Sequence, residues 1–188
     1  MANSDTPFGF KLVGHTSGSP MNARLTRYSI PASDGTAVFI GDAVKSTGSA
    51  DTVGVPAVIQ AAAGNTIRGV VVAFEPLLTN LETKHRLAST LRYALVCDDP
   101  EAIYEVQEDS VGNNLAATDV GDNFEIIVAA GSTVSGLSGM ELDSSTAAGA
   151  TAQLRVLGLV QRADNEIGAN AKWLVRINEH ELDATAGV

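Results

Sequence analysis

Large apolar side chains alternate with polar ones over two segments between positions 151 and 180, near the C-terminal end of the chain. A period of two is typical of β-strands, because successive side chains of a strand point to opposite faces. The residues between the two segments, ADNEIGANA, are rich in turn formers and favour a loop. The pattern predicts a two-stranded ribbon with one buried face, to which burial of Trp173 contributes about 2–3 kcal/mol. The apolar positions are Leu154, Val156 and Leu159 in the first strand and Trp173, Val175 and Ile177 in the second.

Short apolar runs separated by turn residues recur through the middle of the chain, at intervals of roughly ten positions. The run at 67–74 is nearly continuous and rich in β-branched residues, which predicts a strand buried on both faces. Many short strands with turn signals between them indicate an all-β fold, a compact β-barrel or β-sandwich. The other predicted strands are 37–40, 43–46, 55–60, 92–97, 102–107, 124–128 and 140–142.

Residues 75–90 interrupt the strand pattern. Four leucines in this stretch have roughly helical spacing, and Lys84, His85 and Arg86 form a basic cluster. We expect a loop with one or two helical turns that leaves the body of the fold and contacts a partner.

Residues 1–33 carry widely spaced apolar side chains between prolines and turn residues, and the prolines disfavour helix. We expect these residues to form an extended N-terminal arm and residues 34–188 a single β-barrel-like domain. An extended arm cannot bury its own apolar side chains, so they must contact the domain or a neighbouring subunit. The expected contact residues are Phe8, Phe10, Leu12, Arg24, Leu25, Arg27, Tyr28 and Ile30.

The charge is unevenly distributed along the chain. Residues 1–94 contain 8 basic and 6 acidic residues, a net of +2, whereas residues 95–188 contain 4 and 16, a net of −12. An overall charge of −10 disfavours free nucleic acid as a partner, because phosphate binding needs clustered Lys and Arg. The asymmetry suggests that the two halves face different surroundings. A simpler explanation is an acidic outer surface that aids solubility.

The single cysteine, Cys97, excludes an internal disulfide. The N-terminal residues lack the basic and apolar regions of a secretory signal, and no apolar run of about 18 residues is present. We therefore expect no membrane association and a cytosol-like compartment.

Candidate chemistry is sparse. A Cys97–His nucleophile remains open, although nothing in the sequence indicates a thiol of low pKa. The acidic residues at 98–109 do not have the spacing of a calcium loop, and Asp164 and Glu166 are better explained as solvated loop residues than as an acid/base pair. We expect no enzymatic activity, no cofactor and no metal.

Several stretches together resemble the head decoration, or cement, proteins of tailed bacteriophages and prophages. The resemblance covers most of the chain and rests on these stretches, in order: PFGFKLVGHTSGSP, YSIPASDGTAVFIGDAV, IRGVVVAFEP, AATDVGDNFEIIVAAGSTVSGLSGMELDSS and LRVLGLVQRADNEIGANAKWLVRINEH. It implies a protein made in the bacterial host cytoplasm that binds the major capsid protein on the virion exterior. It also implies homo-oligomers, most often trimers at three-fold positions and sometimes dimers at two-fold positions.

The leading expectation is therefore a capsid decoration protein whose arm contacts the major capsid protein. On this hypothesis, deleting residues 1–31 abolishes capsid binding and leaves the body folded. The alternatives are another virion β protein, such as a tail-tube or head-completion component, and a small hydrolase with Cys97 as nucleophile.

Overall fold

A computed structural model describes residues 3–18 and 24–183, except the side chains of 146–148. In these residues the regular structure consists of β-strands and one short 3₁₀ turn. The all-β prediction is confirmed. The 3₁₀ turn is Ala117–Asp119. The strands are β1 Lys11–His15, β2 Thr26–Ile30, β3 Ala43–Ala50, β4 Pro56–Gln60, β5 Gly69–Phe74, β6 Arg92–Cys97, β7 Ala102–Gln107, β8 Asn123–Ile127, β9 Glu141–Ala148, β10 Leu154–Leu159 and β11 Lys172–Ile177.

Six strands form one antiparallel sheet in the order β1-β7-β11-β10-β8-β9. The predicted ribbon, β10 and β11, lies at its centre. Five of the six apolar positions predicted for the buried face are buried, and the sixth, Leu159, packs against the same core. The Trp173 indole N–H is also satisfied, because it donates to Glu108 Oε2 at 3.1 Å.

The other five strands form a closed barrel in the order β2-β4-β3-β5-β6. All its neighbouring strands are antiparallel except β2 and β4, which run parallel. Aliphatic side chains and one tyrosine fill the barrel. They are Tyr28, Ile30, Val38, Val44, Val58, Val71, Ala94 and Val96.

A second, larger core joins the barrel to the six-stranded sheet. Ala43, Val70 and Cys97 of the barrel strands lie in the same apolar cluster as Phe124 and Trp173 of the sheet. The two sheets therefore share this larger core, in addition to the core inside the barrel.

The structure corrects the expectation of an extended arm over residues 1–33. β1 pairs with β7, and β2 pairs with both β4 and β6 inside the barrel. Phe10, Tyr28 and Ile30 are buried within the same chain. The turn residues that suggested an arm are connections between short strands, so the division at residues 33 and 34 does not separate an arm from a domain. Residues 19–23 lie outside the described part of the chain.

Three local predictions also need correction. Residues 75–90 contain turns but no helix, and residues 37–40 make only isolated bridges, Val38 with Arg86 and Ile40 with Leu137. Residues 143–148, which the predicted strand at 140–142 leaves out, belong to β9. Small residues such as Ser, Thr and Ala give no apolar alternation, which is why this strand was missed.

Candidate interaction surface

Cys97 does not have the environment of a nucleophile. Its side chain is buried in the shared core, and burial is the main cause that raises the pKa of the thiol. The three histidines contact other groups: His15 lies 3.2 Å from Asp99, His85 stacks on the Phe39 ring, and His180 Nδ1 accepts the Leu182 N–H.

We expect native Cys97 to resist alkylation by iodoacetamide at pH 7, because a buried thiol of raised pKa presents little thiolate. Intact-mass spectrometry after one hour should show less than about a tenth of the chains modified, with stoichiometric modification in urea as the control. Rapid modification of the folded protein would restore Cys97 as a candidate nucleophile.

The acidic residues at 98–109 are engaged separately. Asp98 accepts from Tyr28 at 2.8 Å, Glu105 pairs with Arg162 at 2.8 Å, and Asp109 accepts from the Ser144 hydroxyl at 2.7 Å. Within residues 3–18 and 24–183, no three His, Cys, Asp or Glu side chains come together as a metal site. In the same ranges no helix is long and apolar enough to cross a membrane.

Glu141 in β9 is a half-buried carboxyl whose Oε1 has no hydrogen-bond partner among the described residues. Burial, together with the smaller effect of the nearby charges of Asp5 and Asp109, raises its pKa to about 7. A carboxyl with a raised folded-state pKa favours the folded protein at low pH, and this contribution is lost as the pH rises from about 4.5 to about 7.

Replacing Glu141 by Gln should therefore raise the free energy of unfolding by about 1–2 kcal/mol at pH 8 and change it little at pH 4.5. Urea unfolding at the two pH values measures this difference, with the exposed Asp122→Asn as the matched control. Equal effects of Glu141→Gln at both pH values would contradict the assignment.

An exposed apolar loop lies between β5 and β6. Leu78 and Leu81 are 92% and 73% exposed, and we call residues 77–82 the leucine loop. Leu87, Leu91 and Val134 are exposed as well, and Lys84 Nζ donates to the Val134 carbonyl at 3.0 Å, which brings the 131–137 loop to the same side. Two highly exposed leucines three positions apart make this loop a candidate contact surface.

Two buried arginines hold the base of this loop. Arg92 donates to the backbone carbonyls of Glu75, Thr83 and His85. Arg86 is 0% exposed, and it ties the loop to residues 31–36. The prediction of a basic cluster at 84–86 that contacts a partner is therefore wrong for His85 and Arg86, because both side chains are buried. Arg86 donates to the carbonyls of Pro31 at 2.6 Å, Asp34 at 2.8 Å, Thr90 at 2.8 Å and Thr36, and to the Asp34 carboxylate at 3.4 Å.

A second feature is an open cleft of about 620 Å³ beside the edge strand β1, which we call the β1 cleft. The N-terminal segment crosses residue 41 here. A Cβ on Gly9 would lie 2.6 Å from the Gly41 carbonyl oxygen, and a Cβ on Gly41 would lie 2.8 Å from the Phe8 carbonyl oxygen, so only glycine fits at the crossing. The apolar lining is Phe8, Phe10, Leu12, Ile40, Gly41, Val71, Val72 and Leu137.

The cleft also contains four charged side chains. Glu105 is neutralised by Arg162, whose guanidinium makes contacts of 2.8 and 3.2 Å with its carboxylate. Lys11 is exposed, and Lys172 is only 8% exposed. Neither lysine has an ion-pair partner in the described part of the chain. The cleft therefore combines an apolar floor with two uncompensated ammonium groups, in a protein of net charge −10.

The eight predicted contact residues fall into three groups. Phe8, Phe10 and Leu12 line the β1 cleft, whereas Tyr28 and Ile30 fill the barrel. Leu25 packs against the shared core, and two arginines are exposed. These are Arg24 and Arg27, of which Arg27 lies over the Tyr93 ring at 3.6 Å and pairs with Glu75 at 2.5 Å.

Sequence reasoning missed Lys172, Ile40 and Leu137 as cleft residues. In the sequence Lys172 is one of the polar positions that alternate with the apolar ones of the ribbon, and only the strand order shows that it reaches the cleft. Comparison with protein-family models, curated proteins and solved structures found no match.

Proposed function

We propose that this protein is a non-enzymatic virion structural protein that binds the outer surface of a phage capsid and stabilises the shell. The partner is the major capsid protein, and the protein acts as a homo-oligomer, with a trimer favoured over a dimer. It is made in the host cytoplasm and ends on the capsid exterior.

The observation that carries this proposal is the leucine loop on its fixed base. Two leucines are more than two-thirds exposed, yet the segment on both sides is held by the buried Arg86 and Arg92. Leaving leucines in water loses about 1.5–3 kcal/mol for each side chain, which burial in an assembly recovers. A rigid apolar protrusion on an all-β scaffold is typical of an assembly protein.

The resemblance to decoration proteins supports the same proposal from the sequence. A decoration protein needs a stable body and surfaces that contact its neighbours. Many copies, each contributing a few kcal/mol, hold a shell against internal pressure because their contacts act together.

Shell stability tests the proposal directly. Expanded, undecorated capsids incubated with saturating protein should release their DNA at a higher temperature than capsids alone, as measured by dye fluorescence. The matched control is the same protein with Leu78→Ser and Leu81→Ser, which should give a smaller shift. An unchanged release temperature with wild-type protein would contradict the proposal.

The second candidate is a tail-tube or head-completion component, which the same exposed leucines would also suit. Such a protein forms rings or tubes without capsids, which negative-stain microscopy of the purified protein distinguishes from trimers or dimers.

A further inference from the structure

We propose that the leucine loop of one copy occupies the β1 cleft of a second copy and that this contact builds the oligomer. The inference rests on the proposed function, because it supplies the self-association that a shell protein of this kind requires. It names the two surfaces that meet.

The two surfaces have complementary chemistry. The leucine loop presents Leu78 and Leu81 beside Glu82, which has no ion pair in the described part of the chain. The β1 cleft presents an apolar floor with Lys11 and Lys172, which lack carboxylate partners in the same ranges. Docking buries the leucines and brings the Glu82 carboxylate to the ammonium groups.

Lys172 is the strongest indication that the cleft receives an anionic group. Most of this residue is buried along the wall of the cleft, and the carboxylate in the cleft lining, Glu105, is already bound by Arg162. An ammonium group without a carboxylate partner favours an anionic group from outside the chain.

The size of the cleft suits this occupant. A volume of about 620 Å³ lies within the range of about 300–1,000 Å³ that is typical of pockets for compact ligands, and several leucine side chains fit in it. The leucine loop is held at its base by buried arginines, so little conformational freedom is lost when it docks.

The loop and the cleft are different surfaces, so each copy offers one of each. Repeating such a contact gives a closed dimer or trimer if the rotation between copies is a half or a third of a turn. Two or three copies both satisfy this geometry.

Charge exchange tests the proposal. In sedimentation velocity at several concentrations, Glu82→Lys and Lys11→Glu should each raise the dissociation constant of the oligomer at least tenfold, because each places like charges together. The double variant should recover most of the wild-type affinity, since every interface then contains the exchanged pair. Arg155→Glu, an exposed site outside both surfaces, is the charge control and should change nothing.

Zero-length crosslinking identifies the contact. ¹⁵N-labelled and unlabelled wild-type chains are mixed and treated with a carbodiimide. Mass spectrometry should then find a Glu82–Lys11 or Glu82–Lys172 crosslink that joins one labelled peptide to one unlabelled peptide. Three results would each overturn the inference. They are a wild-type protein that is monomeric at 100 µM, an oligomer whose dissociation constant neither Glu82→Lys nor Lys11→Glu changes, and a crosslink within one chain. A monomer that still binds capsids overturns this inference and the proposed homo-oligomer but leaves capsid binding standing. An oligomer that binds no capsids overturns the proposed capsid binding and leaves this contact standing.

Discussion

Replacing Arg86 by Met should lower the free energy of unfolding by about 3–5 kcal/mol, a large part of the roughly 5–15 kcal/mol that stabilises a domain of this size. The guanidinium is fully buried and donates to four backbone carbonyls and one carboxylate. Met fills a similar volume but leaves those acceptors without donors. Urea unfolding followed by Trp173 fluorescence measures the loss.

Arg86→Lys separates charge from geometry. Lysine keeps the positive charge but has a single nitrogen, which cannot reach carbonyls that lie on both sides of a planar guanidinium. Arg86→Lys should therefore retain less than half of the free energy of unfolding that Arg86→Met loses. Arg155→Met, at an exposed position of β10, is the matched control and should change stability by less than about 0.5 kcal/mol. An unfolding midpoint of Arg86→Met equal to that of the wild type would contradict the proposed role of this network.

Deleting residues 1–31 should abolish cooperative folding, contrary to the result expected for an extended arm. The deletion removes β1 and β2, and β2 is the strand that closes the barrel between β4 and β6. The remaining strands would expose Val44, Val58 and Val96, which are fully buried in the intact chain. Circular dichroism during heating should show no cooperative transition.

Fragment complementation provides the control for this deletion. Co-expression of residues 1–33 with residues 34–188 should restore a soluble complex. The reason is that β1 and β2 can still pair with their partner strands when they are supplied as a separate peptide. A truncated chain that folds alone with the wild-type melting temperature would show that residues 1–31 are dispensable and would revive the arm.

The ribbon of β10 and β11 could be predicted from sequence because its period of two extends over many residues and its apolar positions are large. The same reasoning found most other strands within a few residues. It missed the second half of β9, whose small side chains carry no pattern. It also missed that β1 pairs with β7 and that β2 pairs with β4 and β6. Short strands between turn residues have the same sequence pattern whether or not they pair with a distant strand.

The candidate surface was only partly predictable. The break in the strand pattern at 75–90 correctly indicated an exposed, leucine-rich segment. The burial of Arg86 could not be deduced, because a charged residue in a loop is normally solvated and its partners are backbone carbonyls from residues 31–36 and 90. The β1 cleft joins residues from positions 8 to 172, and only the strand order brings them together.

We propose that this protein occupies fixed positions on the outside of a capsid. The most direct measurement is electron cryo-microscopy of expanded, undecorated capsids after incubation with increasing concentrations of purified protein. We predict saturable density at symmetry-related positions of the outer surface, with two or three copies at each position. Unoccupied shells at saturating protein, or density confined to the portal vertex or tail, would contradict the claim.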